Sequence, residues 1–272
     1  MIYKKIGITG STGVLGSYII KNSKYLNFDC FEGDITKKKD LRNWLKNKRF
    51  DGIFHLAAVV PVDQVNKNYN LALKVNYEGT KKLVDEVIKQ NSSKWLLFSS
   101  TSHVYSFSKK KLKESFKPQP INLYGTTKLK AEKYLQKKSK KLSICIARIF
   151  SYTHIKQDSN FLVPSILKKL KTKKIQSFDR LNHIRDFIHI SDINKSFHLL
   201  FNKRSTGVFN IASGNSIEIS KIAKYFSKKL KTKTFIKKVK IDTIHKANIE
   251  KILKLGWKPK KKINDILQEF IS

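Results

Sequence analysis

Tyr124 and Lys128 stand four residues apart in YGTTKLKAEKYL, a stretch with helical periodicity, so their side chains share one helix face. A phenol near its ordinary pKa of ~10 is a poor base at neutral pH. An ammonium beside it stabilises the phenolate and lowers that value, which is the pairing a proton-transfer site needs. Spacing alone is weak evidence. With 57 Lys and Arg among 272 residues, about one tyrosine in five has a basic residue four positions on. The pair gains weight from what precedes it: the apolar run KWLLFSS ends in hydroxyls and leads directly into Thr101, Ser102 and His103. A Ser/Thr cluster at that point also reads as a plain turn signal.

A second chemical feature opens the chain. Residues 8–16 read ITGSTGVLG, with Gly10, Gly13 and Gly16 between an apolar run and a helical pattern. Glycine costs backbone entropy, so three of them here call for a close approach to something. The first permits a tight turn, the second lets the backbone approach a pyrophosphate, and the third allows helix and strand to pack closely. The phosphate charge would meet the helix N-terminus. An ordinary glycine turn is the competing reading.

The elements that must position these groups alternate. IYKKIGIT, NFDCFE, DGIFHLAA, KWLLFSS and LSICIARIF read as strands, separated by helical patterns near residues 14–21, 39–47, 70–90 and 122–138. Near-continuous apolar strands alternating with helices indicate an α/β fold with a parallel sheet covered on both faces. The second half is less regular, with a helix near 161–171, a strand-like DFIHI and a helix from Asp192. No repeat and no Pro/Gly linker is visible, so a second domain is expected to be woven in.

Composition bounds the rest. Hydrophobic residues at 40% and aromatics at 11% suffice for a packed core and argue against disorder. The formal charge of +37 raises a nucleic-acid or anionic-membrane partner. The Lys runs at 37–39, 109–111, 137–141, 228–231 and 258–262 are scattered, however, and form no stripe with interleaved aromatics. They read as solvated faces in a Lys-, Asn- and Ile-rich composition, so no specific nucleic-acid partner is expected. Cys30 and Cys145 lie in apolar strands without CxxC spacing, so reduced core cysteines are expected and no metal site. No run approaches the ~18 apolar residues of a membrane span, and a cytoplasmic location is expected.

Taken in order, the motifs resemble a known family. TGSTGVLG, GDI at 33–35, HLAA at 55–58, VNYEGT at 75–80, FSSTSHVY at 98–105, YGTTK at 124–128, RDFIHISDI at 185–193, FNIASG at 209–214 and LGWKP at 255–259 follow the extended short-chain dehydrogenases/reductases. The resemblance is to their NAD-dependent epimerase/dehydratase group, which acts on nucleotide sugars, and it runs from about residue 2 to the C-terminus.

The resemblance implies a Rossmann-type doubly wound parallel sheet with a small, interwoven C-terminal substrate-binding region. The NAD(P)-binding domain would span 1–150, with 178–210 returning to it, leaving 151–177 and 211–272 for substrate. It implies NAD, or NADP, bound by Gly10, Thr12, Gly13, Val14, Leu15, Gly16, Asp34, Ile35, Leu56, Ala57, Ala58, Asn76, Ser99, Tyr124 and Lys128, with Ser100 also on the cofactor side. Asp34 also reads as a cap before Thr36, and Glu32 or Asp34 is the acid available to a ribose 2′-hydroxyl. Thr101, Tyr124 and Lys128 are the implied catalytic set. Thr101, Ser102, Asn160, Phe161 and Arg185 are the implied substrate contacts, Arg185 for the diphosphate or, alternatively, for an ion pair with Asp186. Phe150 reads equally as core or as nicotinamide wall.

Two departures bear on the reaction. His103 stands where dehydratases carry an acid, which disfavours dehydration, and it also reads as a loop histidine. Ser151 replaces the usual Asn after the aromatic Phe150. The expected activity is an NAD(P)-dependent 4-epimerase of a nucleotide sugar, with a 4-keto nucleotide-sugar reductase as the alternative. A homodimer is compatible with the reading. A different class of answer is a catalytically idle, cofactor-sensing or RNA-associated scaffold, against which the intact Thr101, Tyr124 and Lys128 argue.

Overall fold

A computed structural model describes residues 4–60, 62–172, 174–237 and 243–272. Strands β1 (Lys4–Thr9), β2 (Leu26–Cys30), β3 (Gly52–His55), β4 (Trp95–Thr101) and β5 (Ser143–Ile149) come from the first half. They are followed by β6 (Ser151–Tyr152), β7 (Ile175–Asp179), β8 (Ile184–Ile188), β9 (Gly207–Ile211), β10 (Ser216–Glu218) and β11 (Lys233–Lys237). Between them run helices α1 (Val14–Lys21), α2 (Lys38–Leu45), α3 (Val62–Lys67), α4 (Tyr69–Leu73), α5 (Thr80–Gln90) and α6 (Leu123–Lys138). Helices α7 (Leu162–Thr172), α8 (Ile190–Asn202), α9 (Ser220–Lys229), α10 (Glu250–Leu253) and α11 (Ile263–Gln268) complete the set.

Six strands form the main sheet in the order β2-β1-β3-β4-β5-β9. β1 pairs in parallel with both β2 and β3, and β3 with β4. The order reverses direction at β1 and β3, which is the doubly wound arrangement with its crevice at the carboxyl ends of the strands. β3 is buried along its whole length, as a strand covered on both faces must be.

The chain divides into two compact units, residues 1–106, 117–148 and 194–209 in one and 107–116, 149–193 and 210–272 in the other. The first packs a core that includes Trp44, Leu83, Leu96, Phe98 and Leu135. The second packs Ile166, Leu170, Phe187, Ile222, Phe226 and Ile266 together. The chain's return to the first unit is shorter than the sequence suggests. Residues 184–188 pair instead with β6 and β10 in a three-stranded sheet, which keeps them in the second unit. The return begins at Asn194, where Phe197 and Phe201 of α8 set their rings 5.9 and 6.1 Å from Phe54. Residues 107–116 join the second unit because Leu112 donates to the Lys246 carbonyl and Glu114 accepts from the Asn210 N–H.

The helix expected over 70–90 is broken into α4, a π-helical segment Lys74–Gly79, and α5. Cys30 is half-buried and Cys145 buried, and neither forms a disulfide. Among the described residues no helix is long and apolar enough to cross a membrane, and no group of three His, Cys, Asp or Glu is placed to hold a metal ion.

Candidate active site

The glycine turn sits at the carboxyl end of β1. Gly10 has φ +76°, and a Cβ there would also lie 2.6 Å from the Ala57 nitrogen. A Cβ on Gly16 would collide with the Gly10 carbonyl oxygen. Both glycines are demanded by the protein's own packing. Gly13 is not: its φ of −68° suits any residue, and a Cβ would meet nothing nearer than 3.5 Å. It is the exposed N-cap of α1, which has no side-chain cap and no acid in its first turn. Thr12 beside it is exposed, Val14 half-buried, and Leu15 buried. An exposed N-cap at a bare helix N-terminus, whose leading N–H groups lack intrahelical acceptors, fits a dinucleotide pyrophosphate.

The neighbouring strand end is wired to this turn. Thr9 Oγ1 accepts from the Ala57 N–H at 3.3 Å and donates to His55 Nδ1 at 2.6 Å. On the far side His55 Nε2 donates to Thr80 Oγ1 at 2.8 Å, and Thr80 donates to the Asn76 carbonyl at 2.8 Å. These directions require the Nε2–H tautomer of a neutral imidazole. Burial, with the nearby Lys128 charge, pushes His55 down to about 3, in keeping with that form. The half-buried Leu56, Ala57 and Ala58 follow β3 on the side of the glycine turn.

Asn76 lies in the π-helical segment and is fully buried. Its amide oxygen accepts from the Val59 N–H at 2.8 Å, and its amide nitrogen donates to the Val59 carbonyl and to Thr127 Oγ1, each at 3.0 Å. Thr127 in turn donates to the Tyr124 carbonyl at 2.8 Å. Asn76 thus ties the wall after β3 to the helix that carries Tyr124.

Asp34 is exposed and accepts from the N–H and hydroxyl of Thr36, both at 2.8 Å, which holds its carboxyl below the usual range. The capping role expected of it is therefore present, and Glu32 is the other exposed acid of the segment. Ile35 is 7% exposed and packs in the core against Gly79.

Tyr124, Lys128 and Thr101 all belong to the first unit. α6 begins at the N-cap Asn122, whose amide oxygen accepts from the Gly125 N–H at 2.8 Å. Its amide nitrogen donates to His103 Nδ1 at 2.9 Å, and the Tyr124 ring stands edge-on to His103 with centroids 5.8 Å apart. A Cβ on Gly125 would collide with the His103 carbonyl oxygen, so that glycine lets α6 close onto the turn after β4. Thr101 ends β4 and accepts from the His103 N–H at 3.2 Å, while Ser102 opens the short 3-10 turn. Ser99 is half-buried on the same strand.

Lys128 is 1% exposed, with Nζ 4.1 Å from the centre of the Phe98 ring. Burial pushes its ammonium down to about 7, the Glu132 carboxylate pulling the other way. Glu132 itself is clamped by Arg148 and Ser100. None of Glu132, Arg148, His55 and Thr127 is singled out by the sequence reading. A charged residue inside the apolar strand SICIARI, and an acid four positions beyond Lys128, were the available signals.

Asn160, Phe161 and Arg185 lie in the second unit. Asn160 is exposed and Phe161 half-buried, just before α7. Arg185 donates to the carbonyls of Ile184 and Thr243, each at 2.8 Å, and stacks 5.5 Å from the Phe107 ring centre. Asp186 instead accepts from the Ser213 N–H and hydroxyl, and burial pushes its carboxyl up to about 6. Phe150 is 3% exposed, 6.2 Å from the His245 ring.

A glycine-rich strand-to-helix turn and a Tyr/Lys helix on one doubly wound sheet are the arrangement of a dinucleotide-dependent enzyme of the Rossmann class. The model of the NAD dependent epimerase/dehydratase family matches residues 6–212, and the chain belongs to that family. It is 29% identical over 231 residues to the GDP-6-deoxy-D-talose 4-dehydrogenase of Aggregatibacter actinomycetemcomitans, covering 80% of this chain and 77% of that one. It is also 29% identical over 231 residues to YtcB of Bacillus subtilis (strain 168), described as an uncharacterized UDP-glucose epimerase, with 73% of each chain covered. Among solved structures, RMD from Pseudomonas aeruginosa complexed with NADPH superposes with a TM-score of 0.88 at 18% identity, covering 98% of this chain and 97% of that one, a likeness of fold.

Proposed function

We propose that this chain is a nucleotide-sugar 4-epimerase that uses NAD, with Tyr124, Lys128 and Thr101 carrying the proton transfer. The reading is carried by one observation: a buried lysine sits on the same face of α6 as Tyr124, in the unit that also holds the bare N-terminus of α1 behind Gly13. NAD, held at the turn of Gly10, Gly13 and Gly16, would supply a reversible hydride acceptor for the sugar carbon. The chain's own groups handle the proton. The Tyr124 phenolate takes it from the sugar hydroxyl, Lys128 stabilises that phenolate, and the Thr101 hydroxyl orients the reacting oxygen. Arg185, Asn160 and Phe161 are proposed for the nucleotide and diphosphate, and Asp34 or Glu32 for the adenosine ribose of the cofactor.

A 4-keto reductase, or the reverse dehydrogenase, is the second reading, favoured by the 4-dehydrogenase activity for which the Aggregatibacter relative is named. The two differ in stoichiometry. Purified protein is incubated with UDP-, dTDP-, GDP- and CDP-sugars and with NAD, NADH or NADPH. An epimerase interconverts two nucleotide sugars with catalytic cofactor and no net change in reduced cofactor. Consumption or production of one NAD(P)H per sugar overturns the epimerase in favour of the second reading.

A further inference from the structure

Glu132 lies one helical turn beyond Lys128 and takes no part in the proton transfer just described. It is fully buried, and Arg148, Ser100 and Tyr105 around it are 2, 3 and 1% exposed. Arg148 Nη2 donates to Glu132 Oε2 at 2.6 Å, and its Nε reaches Oε1 and Oε2 at 3.0 and 3.2 Å. The Ser100 hydroxyl donates to Oε1 at 2.5 Å. Arg148 Nη1 donates to the Tyr105 hydroxyl at 2.8 Å, with the guanidinium 4.7 Å from that ring's centre. One carboxylate therefore links α6, which carries Tyr124 and Lys128, to β5 and to the residue of β4 next to Thr101.

A buried ion pair is a poor device for stability, because a hydrophobic pair of similar volume is often as stable or more so. Its placement supplies a better reason. We propose that Glu132 is a positioning residue of the acid/base site: held by Arg148 and Ser100, its carboxylate sets α6 against the end of β4 and keeps a negative charge one turn from Lys128. This rests on the reading that Tyr124 and Lys128 transfer the proton.

Groups from three elements bear on Lys128. From its own helix comes Glu132, from β4 the Phe98 ring, and from β3 the imidazole of His55, which is neutral. Glu132 is an anion that favours the ammonium, and Arg148 holds its carboxylate in place. Without it the ammonium loses its proton more easily, and the Tyr124 phenolate loses its stabilising charge.

The test compares the full-length protein with Glu132→Gln and with the double replacement Glu132→Met/Arg148→Met, which leaves no orphaned charge should the single variant fail to fold. Tyrosinate ultraviolet absorbance is titrated without substrate, with Tyr124→Phe identifying the Tyr124 step. In the folded variants that step moves to higher pH by ~0.5 unit or more. Turnover falls by about 10-fold or more with KM little changed, as expected when acid/base geometry loosens. A folded double variant with an unmoved step and full turnover overturns the proposal and leaves the pair a packing feature. A wild-type protein with no Tyr124-dependent step below the ordinary tyrosine range overturns the acid/base reading itself, and this inference with it.

Discussion

The Lys128 ammonium rests 4.1 Å from the centre of the Phe98 ring, on a residue that is 1% exposed. The ring face offsets part of the lost hydration, but burial still wins and brings the group to about 7 from 10.5. The unfolded chain binds the extra proton between those values, so this group makes stability rise with pH across that window and imposes its full penalty below pH 7. Lys128→Met, similar in length and uncharged, is therefore expected to raise the melting temperature at pH 6 by about 5 °C. The advantage shrinks toward pH 9. Melting curves at the two pH values check it, and an advantage that grows with pH contradicts it. Turnover in the same variant drops by about 10²-fold, since the phenolate loses its counter-charge.

His55 acts on the acid side. It is fully buried between Thr9 and Thr80 and held down to about 3 from 6.5 by burial. The folded protein thus binds fewer protons than the unfolded one from pH 6.5 down to about 3. The stability this contributes is complete above pH 6.5 and drains away as pH falls through that window. In His55→Gln the decline of stability between pH 7 and pH 4 is expected to be shallower than in the wild type. Parallel urea titrations at several pH values measure the two slopes, and equal slopes would remove His55 from the acid response.

The strands of the main sheet are legible because each is a short apolar run: KKIGIT and WLLFSST lie within a residue or two of where periodicity places them, while GIFH stops three residues short of the expected DGIFHLAA. Gly10 and Gly16 are legible because backbone packing at a strand-to-helix turn leaves no room for a Cβ. The π-helical break at Lys74–Gly79 is not, because its cause is tertiary: Asn76 must reach Val59 and Thr127 at once. Local propensity reads straight through it as one helix. Glu132 and Arg148 are 16 positions apart, and only the packing of α6 on β5 makes them a pair. The same holds for Asn194–Phe209, whose return to the first unit is decided by the rings of Phe197 and Phe201 against Phe54.

Tyr124→Phe deletes one hydroxyl from a ring that is already 8% exposed and packed against Val65 and Ala72. The fold and cofactor binding are expected to survive, while turnover falls by at least the ~10²-fold typical of a lost acid/base. Cofactor fluorescence titration and initial rates, taken on one preparation, separate the two effects. Undiminished turnover would take Tyr124 out of the mechanism.

Gly13 and Gly16 provide the sharpest contrast at the glycine turn. A Cβ on Gly16 collides with the Gly10 carbonyl, which is backbone and cannot swing aside. Gly16→Ala is therefore expected to lower the melting temperature substantially, by several degrees, as strain in a packed turn does. At Gly13 the nearest atom to a Cβ is 3.5 Å away and φ is already in an ordinary region, so Gly13→Ala should leave stability within about 0.5 kcal/mol of wild type. What the methyl group does occupy is the approach to the bare N-terminus of α1. NAD affinity in Gly13→Ala is consequently expected to fall by about 10-fold or more with the fold intact, because a pyrophosphate held at a helix N-terminus needs the backbone at close range. Thermal melts and isothermal titration with NAD on both variants decide the point. Unchanged affinity in Gly13→Ala would mean that the pyrophosphate does not approach over that residue.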